Sequence, residues 1–425
     1  MVDASGQLRQ RSRAVYKDVL ANMGIEVPRI QPRVRWLNAR SERDFATLHE
    51  LVEPILARNP KDLFVRRRYA RLCEIEGQTA RAEPHWAALV DADSADFEAA
   101  FHRMRNAVAK GMDPASAAAA AAPNANACFH GALADALAEP TPVLDGEFKH
   151  IAICGASFCG STLVDRVLGG LPGVRSIGES HWITKVRLAT GYGEAAWSEP
   201  LADARFVPCT VCGGRCEVLT PAFRRSLAAD AANWYRKIAA RLDTRVLISA
   251  DKNLRKLVDH DPLLELFALV IFKSPEQAWR SHLDKLPVDR DAEFYTAACR
   301  DYMAKWRISY RPFLDHFKPQ GKVVYLNFDA FTRHPAPLLR AVCDRFGLPF
   351  AESVLTTTVP GHAIGGNGRS MRRLRDKDYG VEILPLPDSA LDPEHAAIIA
   401  GDEAAQATWR EMLALHTALA EQVPG

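Results

Sequence analysis

The chain has 425 residues, of which 48% are hydrophobic and 25% charged, with a formal net charge of +2. That is the composition of a folded globular protein with room for two domains, and it excludes an intrinsically disordered chain. The near-neutral charge gives no global field for nucleic acid, and no apolar run is long enough to span a bilayer.

The start, Met-Val-Asp-Ala-Ser-Gly, is polar and has no apolar leader core, so a cytoplasmic location is expected. In such a reducing compartment nine cysteines, an odd number, read as free thiols or metal ligands rather than as a disulfide framework. Residues 1–40 are basic and weakly periodic and predict an arm with one helix. From 42 to 108 apolar residues fall at helical spacing, as in Phe45, Leu48, Leu51, Val52, Ile55 and Leu56. Asn59-Pro60-Lys61-Asp62 returns loosely as Asp93-Ser94-Ala95-Asp96, 34 residues later, with Tyr69, Ala70, Leu72, Ala80, Trp86 and Leu89 between. That period is similar to tetratricopeptide repeats; a plain helical domain remains the alternative. Ala117–Ala122 predicts a last helix, and Pro123, Pro140 and Pro142 a linker. The boundary is set at 146, giving a helical unit over 1–146 and a second unit over 147–425.

Beyond 148 short Val-, Ile- and Leu-rich runs at 150–154, 246–250, 267–272 and 322–327 alternate with helical stretches. Such alternation predicts an α/β fold with a parallel sheet flanked by helices. Ligands in that architecture bind outside the carboxyl ends of the strands. The first strand runs into Gly155-Ala156-Ser157-Phe158-Cys159-Gly160-Ser161-Thr162 and then a helical pattern with Leu163, Val164, Val167 and Leu168. Two glycines five apart at a strand-to-helix turn let backbone N–H groups face an anion, and the helix N-terminus adds positive charge. The spacing is that of a Walker A loop, with Ser161 in place of the lysine. That change disfavours nucleoside triphosphate hydrolysis, and no convincing magnesium-binding aspartate supports a kinase.

Further along, Ile177-Gly178-Glu179-Ser180 carries an acidic residue after the first helix, with His181 next to it. Cys209-Thr210-Val211-Cys212-Gly213-Gly214-Arg215-Cys216 contains C-x2-C followed by glycine, a zinc-knuckle turn, with a third thiol nearby. A structural zinc on Cys209, Cys212 and Cys216 is one reading. Free thiols and a redox-sensitive pair are the others, and the sequence does not identify a fourth ligand. Lys252, in Asp251-Lys252-Asn253, follows the strand at 246–250 and so leaves the same sheet edge as the glycine loop; pairing with Asp251 is the alternative. Lys273-Ser274-Pro275 leaves the strand at 267–272, and Ser281 follows eight residues after the lysine, so one helical turn set can return a hydroxyl to the cation. Gly365-Gly366-Asn367-Gly368-Arg369-Ser370-Met371-Arg372-Arg373 is a glycine-rich run with three arginines, suited to wrapping an anion.

These signals, in this order, resemble the sulfotransferases that use 3′-phosphoadenosine-5′-phosphosulfate. Gly155–Leu163 matches their first motif, and Lys273–Ser281 their second. Val323–Asp329, Phe331, Pro335 and Phe346-Gly347-Leu348-Pro349 are similar to a further shared stretch, and the Gly-Gly-Asn run to the late cofactor loop of bacterial members. The resemblance covers about residues 148–385. It implies that the backbone of Gly155, Ser157, Cys159 and Gly160, with the Ser161 and Thr162 hydroxyls, holds the 5′-phosphosulfate. It further implies that Lys273 and Ser281 hold the 3′-phosphate, and that Asn367, Arg369 or Arg372 close over the nucleotide. Glu179 matches a Gly-Glu pair that in some members deprotonates the acceptor hydroxyl.

Phe158 and Cys159 depart from the pattern. Phe158 stands where the family usually has a cation near the transferring group, and Lys252 is the expected substitute. The implied activity is sulfuryl transfer to a hydroxyl or phenol of a small molecule, carbohydrate or peptide. The alternative is a degenerate relative that binds without transferring. In either case the helical unit is expected to supply a surface for a protein partner or for self-association.

Overall fold

The computed structural model describes residues 45–94, 96–138, 141–180, 209–212, 215–252, 266–316, 322–357, 359, 361–364, 368–386 and 390–421. The chain begins there with six helices: α1 (Phe45–Arg58), α2 (Leu63–Ile75), α3 (Thr79–Ala92), α4 (Phe97–Ala109), α5 (Pro114–Ala121) and α6 (Ala127–Ala138). Helices α1 and α3 start 34 residues apart (45 and 79), as do α2 and α4 (63 and 97). The recurring tetrads fall on the turns before α2 and α4. There the Asp62 and Asp96 carboxylates accept the amides of Val65 (3.0 Å) and Ala99 (3.1 Å). The sequence repeat is therefore a repeat of helix-capping turns. Tyr69, Trp86, Phe97, Met104 and Phe129 fill the core between the helices. A buried fork fixes α2 against α4: Arg71 donates to both Glu98 oxygens at 2.6 and 2.8 Å.

The second region is a five-stranded parallel sheet in the order β2-β3-β1-β4-β5. Its strands are β1 (Lys149–Cys154), β2 (Val174–Ser176), β3 (Val246–Lys252), β4 (Leu266–Phe272) and β5 (Val323–Asn327). Four of them stand where the apolar runs predicted. Strand β2 was not expected: three residues after a turn at Gly173 carry too little pattern, and pairing with β3 defines it.

Side chains alternate across β1. Ile151 and Ile153 face a core shared with α7 (Ser161–Gly169), α12 (Phe328–Arg333) and α13 (Pro335–Phe346). Ala152 and Cys154 face the other core, against α10 (Pro275–Leu283), α11 (Ala292–His316), α15 (Pro393–Gly401) and α16 (Glu403–Ala420). The β2–β3 edge is covered by α8 (Pro221–Ala229) and α9 (Trp234–Arg241), through Phe223, Leu227, Trp234, Tyr235 and Ile238. Ala228 and Ala229 of α8 belong to the helical core as well, so apolar contact joins the two regions. A buried Lys237–Asp230 pair at 3.0 Å lies beside that junction. Among the described residues, no helix is long and apolar enough to cross a membrane.

Candidate functional site

Strand β1 sits at the centre of the sheet, where the chain order turns from one side to the other, and its carboxyl end opens into the loop 155–160. This is the crevice position of open parallel sheets. Gly155 has φ +151° there, and a Cβ on it would lie 2.3 Å from the Ile271 carbonyl oxygen and 2.9 Å from Cys159 Sγ. Gly160 caps α7 in the left-handed region at φ +98°, with its α-hydrogen face 2.2 Å (for a built Cβ) from the Phe328 ring. Both glycines are required by close approach as well as by backbone angle. The first turn of α7 presents Ser161, buried, and Thr162, half-buried, together with amides that have no acceptor inside the helix.

Two tyrosines of α11 hold the loop from behind. Tyr310 accepts the Ala156 amide (3.1 Å) and donates to the Ile271 carbonyl (2.9 Å), while Tyr302 donates to the Ser157 carbonyl (3.2 Å). Burial pushes both phenols above their ordinary range, so both remain donors at neutral pH. Neither was singled out in the sequence. The only trace of them is the aromatic spacing Tyr302, Trp306, Tyr310, Phe313 along one helix face, which core packing alone would produce.

Strand β4 brings the second cation to the same end. Lys273 leaves β4, Ser274 caps α10 by accepting the Gln277 amide (3.2 Å), and Pro275 takes the first helical position. The helix returns Ser281 to the lysine, and Lys273 Nζ donates to Ser281 Oγ at 2.9 Å. Lys273 is 5% exposed, and its ammonium is 5.0 Å from the centroid of the Phe328 ring, the ring that also closes on Gly160. Burial lowers the Lys273 pKa, offset in part by Cys159, Asp329 and Asp284. Asp329 accepts the Ser274 amide through Oδ2 (3.2 Å), and its other oxygen, Oδ1, is buried without a hydrogen-bond partner. Burial raises the Asp329 pKa accordingly. A buried cation bonded to a neutral hydroxyl is costly until an anion reaches it.

Glu179 is 6% exposed and follows β2 at the other side of β1. Its neighbours are fixed by backbone bonds: Ile177 donates to Ile248 (3.0 Å), and Ala250 donates to the Gly178 carbonyl (2.7 Å). Ser180 shares a 2.8 Å hydrogen bond with Tyr235, whose ring stacks on His150 at 4.0 Å. Lys252 is the last residue of β3 and lies level with Cys154 across a register shift, at the mouth of the β1 loop. The backbone thus brings Lys252, Glu179, Lys273 and the loop to one sheet edge. Phe158 adopts φ +67°, half-buried, with its ring 5.7 Å from that of His282. His282 in turn stacks on Tyr302 at 4.4 Å, and burial lowers its pKa. An aromatic stack therefore occupies the position where a cation was expected.

Arg369 lies in the first turn of α14 (Gly368–Arg375), and Arg372 is exposed on it, while Arg373 turns away to Asp378 at 2.6 Å. Asn367 and His181 lie outside the described residues. Cys209, Cys212 and Cys216 gather with His362, their ligand atoms all within 4.8 Å of one another.

Residues 150–352 match the sulfotransferase family. The matched stretch takes in the β1 loop, Glu179, Lys252, Lys273 and Ser281, but not the six helices before it or α14 after it. Among solved structures, the sulfotransferase domain from the Synechococcus PCC 7002 olefin synthase is 19% identical, with a TM-score of 0.39, over 62% of this chain and 98% of that one. The sulfotransferase domain from the curacin biosynthetic pathway is 15% identical, with a TM-score of 0.39, over 60% and 98%. The sulfotransferase from Alicyclobacillus acidocaldarius is 16% identical, with a TM-score of 0.32, over 65% and 97%. No curated protein matches.

Proposed function

We propose that the protein transfers a sulfuryl group from 3′-phosphoadenosine-5′-phosphosulfate to a hydroxyl or phenol. The observation that carries this reading is the buried Lys273–Ser281 pair beside the β1 loop. A 3′-phosphate adds to the partial counter-charge that Asp329 and Asp284 give this buried ammonium. The 5′-phosphosulfate then lies along the loop, on the amides opening α7 and the Ser161 and Thr162 hydroxyls. In the reaction, Glu179 takes the proton of the acceptor hydroxyl. The acceptor oxygen forms a bond to sulfur as the bond from sulfur to the 5′-phosphate oxygen breaks, and adenosine 3′,5′-bisphosphate leaves. Positioning and charge compensation do most of the work in such an in-line transfer, and Lys252 is the cation assigned to the leaving oxygen.

A second reading is a binding module that keeps the donor site without turnover, its capped helices serving a protein partner or a second copy. Phe158 favours it, since an aromatic ring cannot compensate developing negative charge. Release of adenosine 3′,5′-bisphosphate from the donor, followed over a panel of phenols, sugars and peptides, decides between them. The transferase reading expects acceptor-dependent release that Glu179→Gln abolishes. Tight bisphosphate binding with no release on any acceptor supports the binding module, and no binding at all contradicts both.

A further inference from the structure

We infer that Cys209, Cys212, Cys216 and His362 form a structural zinc site that staples a late segment of the chain onto the sheet edge carrying Glu179. The three cysteines share one loop at spacings of three and four residues, and His362 arrives from 146 residues beyond Cys216. Its Nδ1 lies 3.2 Å from Cys216 Sγ and 3.5 Å from Cys212 Sγ. A tetrahedral zinc with its usual bond lengths of about 2.3 Å to sulfur and 2.0–2.1 Å to nitrogen has S···N edges of about 3.5 Å. The two His362 separations therefore already stand close to the edges that a zinc ion requires, and all four ligand atoms lie within 4.8 Å of one another. All four corners are protein atoms, which is the closed set of a structural rather than a catalytic zinc.

The surroundings suit thiolates. The Cys212 amide donates to Cys209 Sγ (3.4 Å) and the Leu219 amide to Cys216 Sγ (3.2 Å), orienting and stabilising the sulfur charge. Cys209 and Cys216 are 1% and 4% exposed and sit in the apolar cluster of Phe223, Trp234 and Ile364, which shields the ion from water. Cys212, on the exposed side, completes the set.

The staple has a defined reach. Thr210 donates to the Ala363 carbonyl through its amide and its hydroxyl, both at 2.8 Å. Ile364 then donates to Ile177 (2.7 Å) and bridges Gly178, the residue before Glu179. Helix α14, with Arg369, starts six residues after His362. A metal at this point holds in one place the segment supporting the proposed base and the approach to the proposed nucleotide-closing arginines. This consequence for activity rests on the function proposed above; the metal site itself does not.

The test uses the untagged full-length protein purified without added metal, with zinc counted by plasma mass spectrometry and the site probed by cobalt(II) exchange. The expected result is one zinc per chain, and a cobalt form with the strong visible bands of tetrahedral thiolate coordination. Cys212→Ser and His362→Ala are expected to lose the metal in a chelator wash that wild type survives, while Cys128→Ser, at an exposed cysteine elsewhere, keeps it. Stripping zinc with an organomercurial is expected to lower Tm, and zinc but not magnesium to restore it. Wild-type protein with no stoichiometric zinc and no tetrahedral cobalt spectrum, or with two of these cysteines in a disulfide, overturns the site whether or not the variants fold. If zinc is present but its removal leaves adenosine 3′,5′-bisphosphate binding and transfer unchanged, the stapling role is overturned and the transfer reading stands.

Discussion

The β1 loop and the β2 edge are the two halves of the proposed site, and they are built in opposite ways. The loop is twelve consecutive residues, 151–162, whose shape follows from Gly155, Gly160 and the helix that begins at Ser161. The β2 edge is assembled from Ile177–Ser180, the end of β3, the cysteine loop and Ile364, segments drawn from across nearly two hundred residues. A contiguous phosphate loop carries its own geometry, whereas an assembled edge depends on every tie that holds it. The two halves should therefore fail differently.

The largest effect expected is on the assembled half. Glu179→Gln removes the proposed base while keeping size, and the rate of transfer should fall by about 10²–10⁴-fold. Steady-state kinetics should show the loss in kcat, with bisphosphate binding unchanged because the loop is untouched. In the contiguous half, Gly160→Ala puts a methyl 2.2 Å from the Phe328 ring at a φ of +98°. Overpacking of this kind costs about 1–3 kcal/mol. A lower Tm together with loss of nucleotide binding is expected, and an unchanged Tm would show that the loop is less constrained than its contacts indicate.

Lys273→Met sharpens the comparison by removing one charge from an otherwise intact pocket. A hydrogen bond to a charged group is worth about 1.5–3 kcal/mol, so bisphosphate affinity should drop by about 10–100-fold with AMP affinity unchanged. Wild-type affinity should also weaken on the alkaline side, because the ammonium is the binding form and burial lowers its pKa. That weakening should begin at a lower pH than the titration of an ordinary lysine would give, and calorimetric titration across pH checks this.

The smallest effect is expected away from both halves, in the helical region. His102 stacks on Trp86 at 4.4 Å, and both ring nitrogens lack a hydrogen-bond partner. Burial, and then Arg105, push its pKa down to about 3. The unfolded chain binds this proton near pH 6.5 and the folded chain does not, so stability is fully present above about 6.5 and declines as pH falls toward 3. Tm should be lower at pH 5 than at pH 7.5, and His102→Phe should flatten that difference.

What was legible in the sequence follows the same division. The loop and the Lys273–Ser281 return were readable because each is fixed within one turn or one helix, where spacing determines geometry; the caps at Asp62 and Asp96 showed only as a 34-residue recurrence, and the structure gave it its meaning. The tyrosines that brace the loop were not readable. Tyr302 and Tyr310 act from a helix about 150 residues away, and their spacing is that of any buried face. His362 was missed as the partner of the three cysteines for the same reason, since only the sheet edge brings Ala363 to Thr210. Strand β2 was too short to show a period. The N-cap turns were visible as a 34-residue recurrence, but the stacking that a true repeat array requires is a property of helix faces that turn residues do not encode.

The central claim is that the junction of the β1 loop with Lys273 is a site for a nucleotide bearing a 3′-phosphate. Calorimetric titration of the full-length protein with adenosine 3′,5′-bisphosphate, with AMP and with ATP plus magnesium tests it most directly. The account predicts that the bisphosphate binds about 10–100-fold more tightly than AMP, the margin of one charged hydrogen-bonded contact. Equal affinity for the bisphosphate and AMP, or a preference for ATP with magnesium, would contradict it.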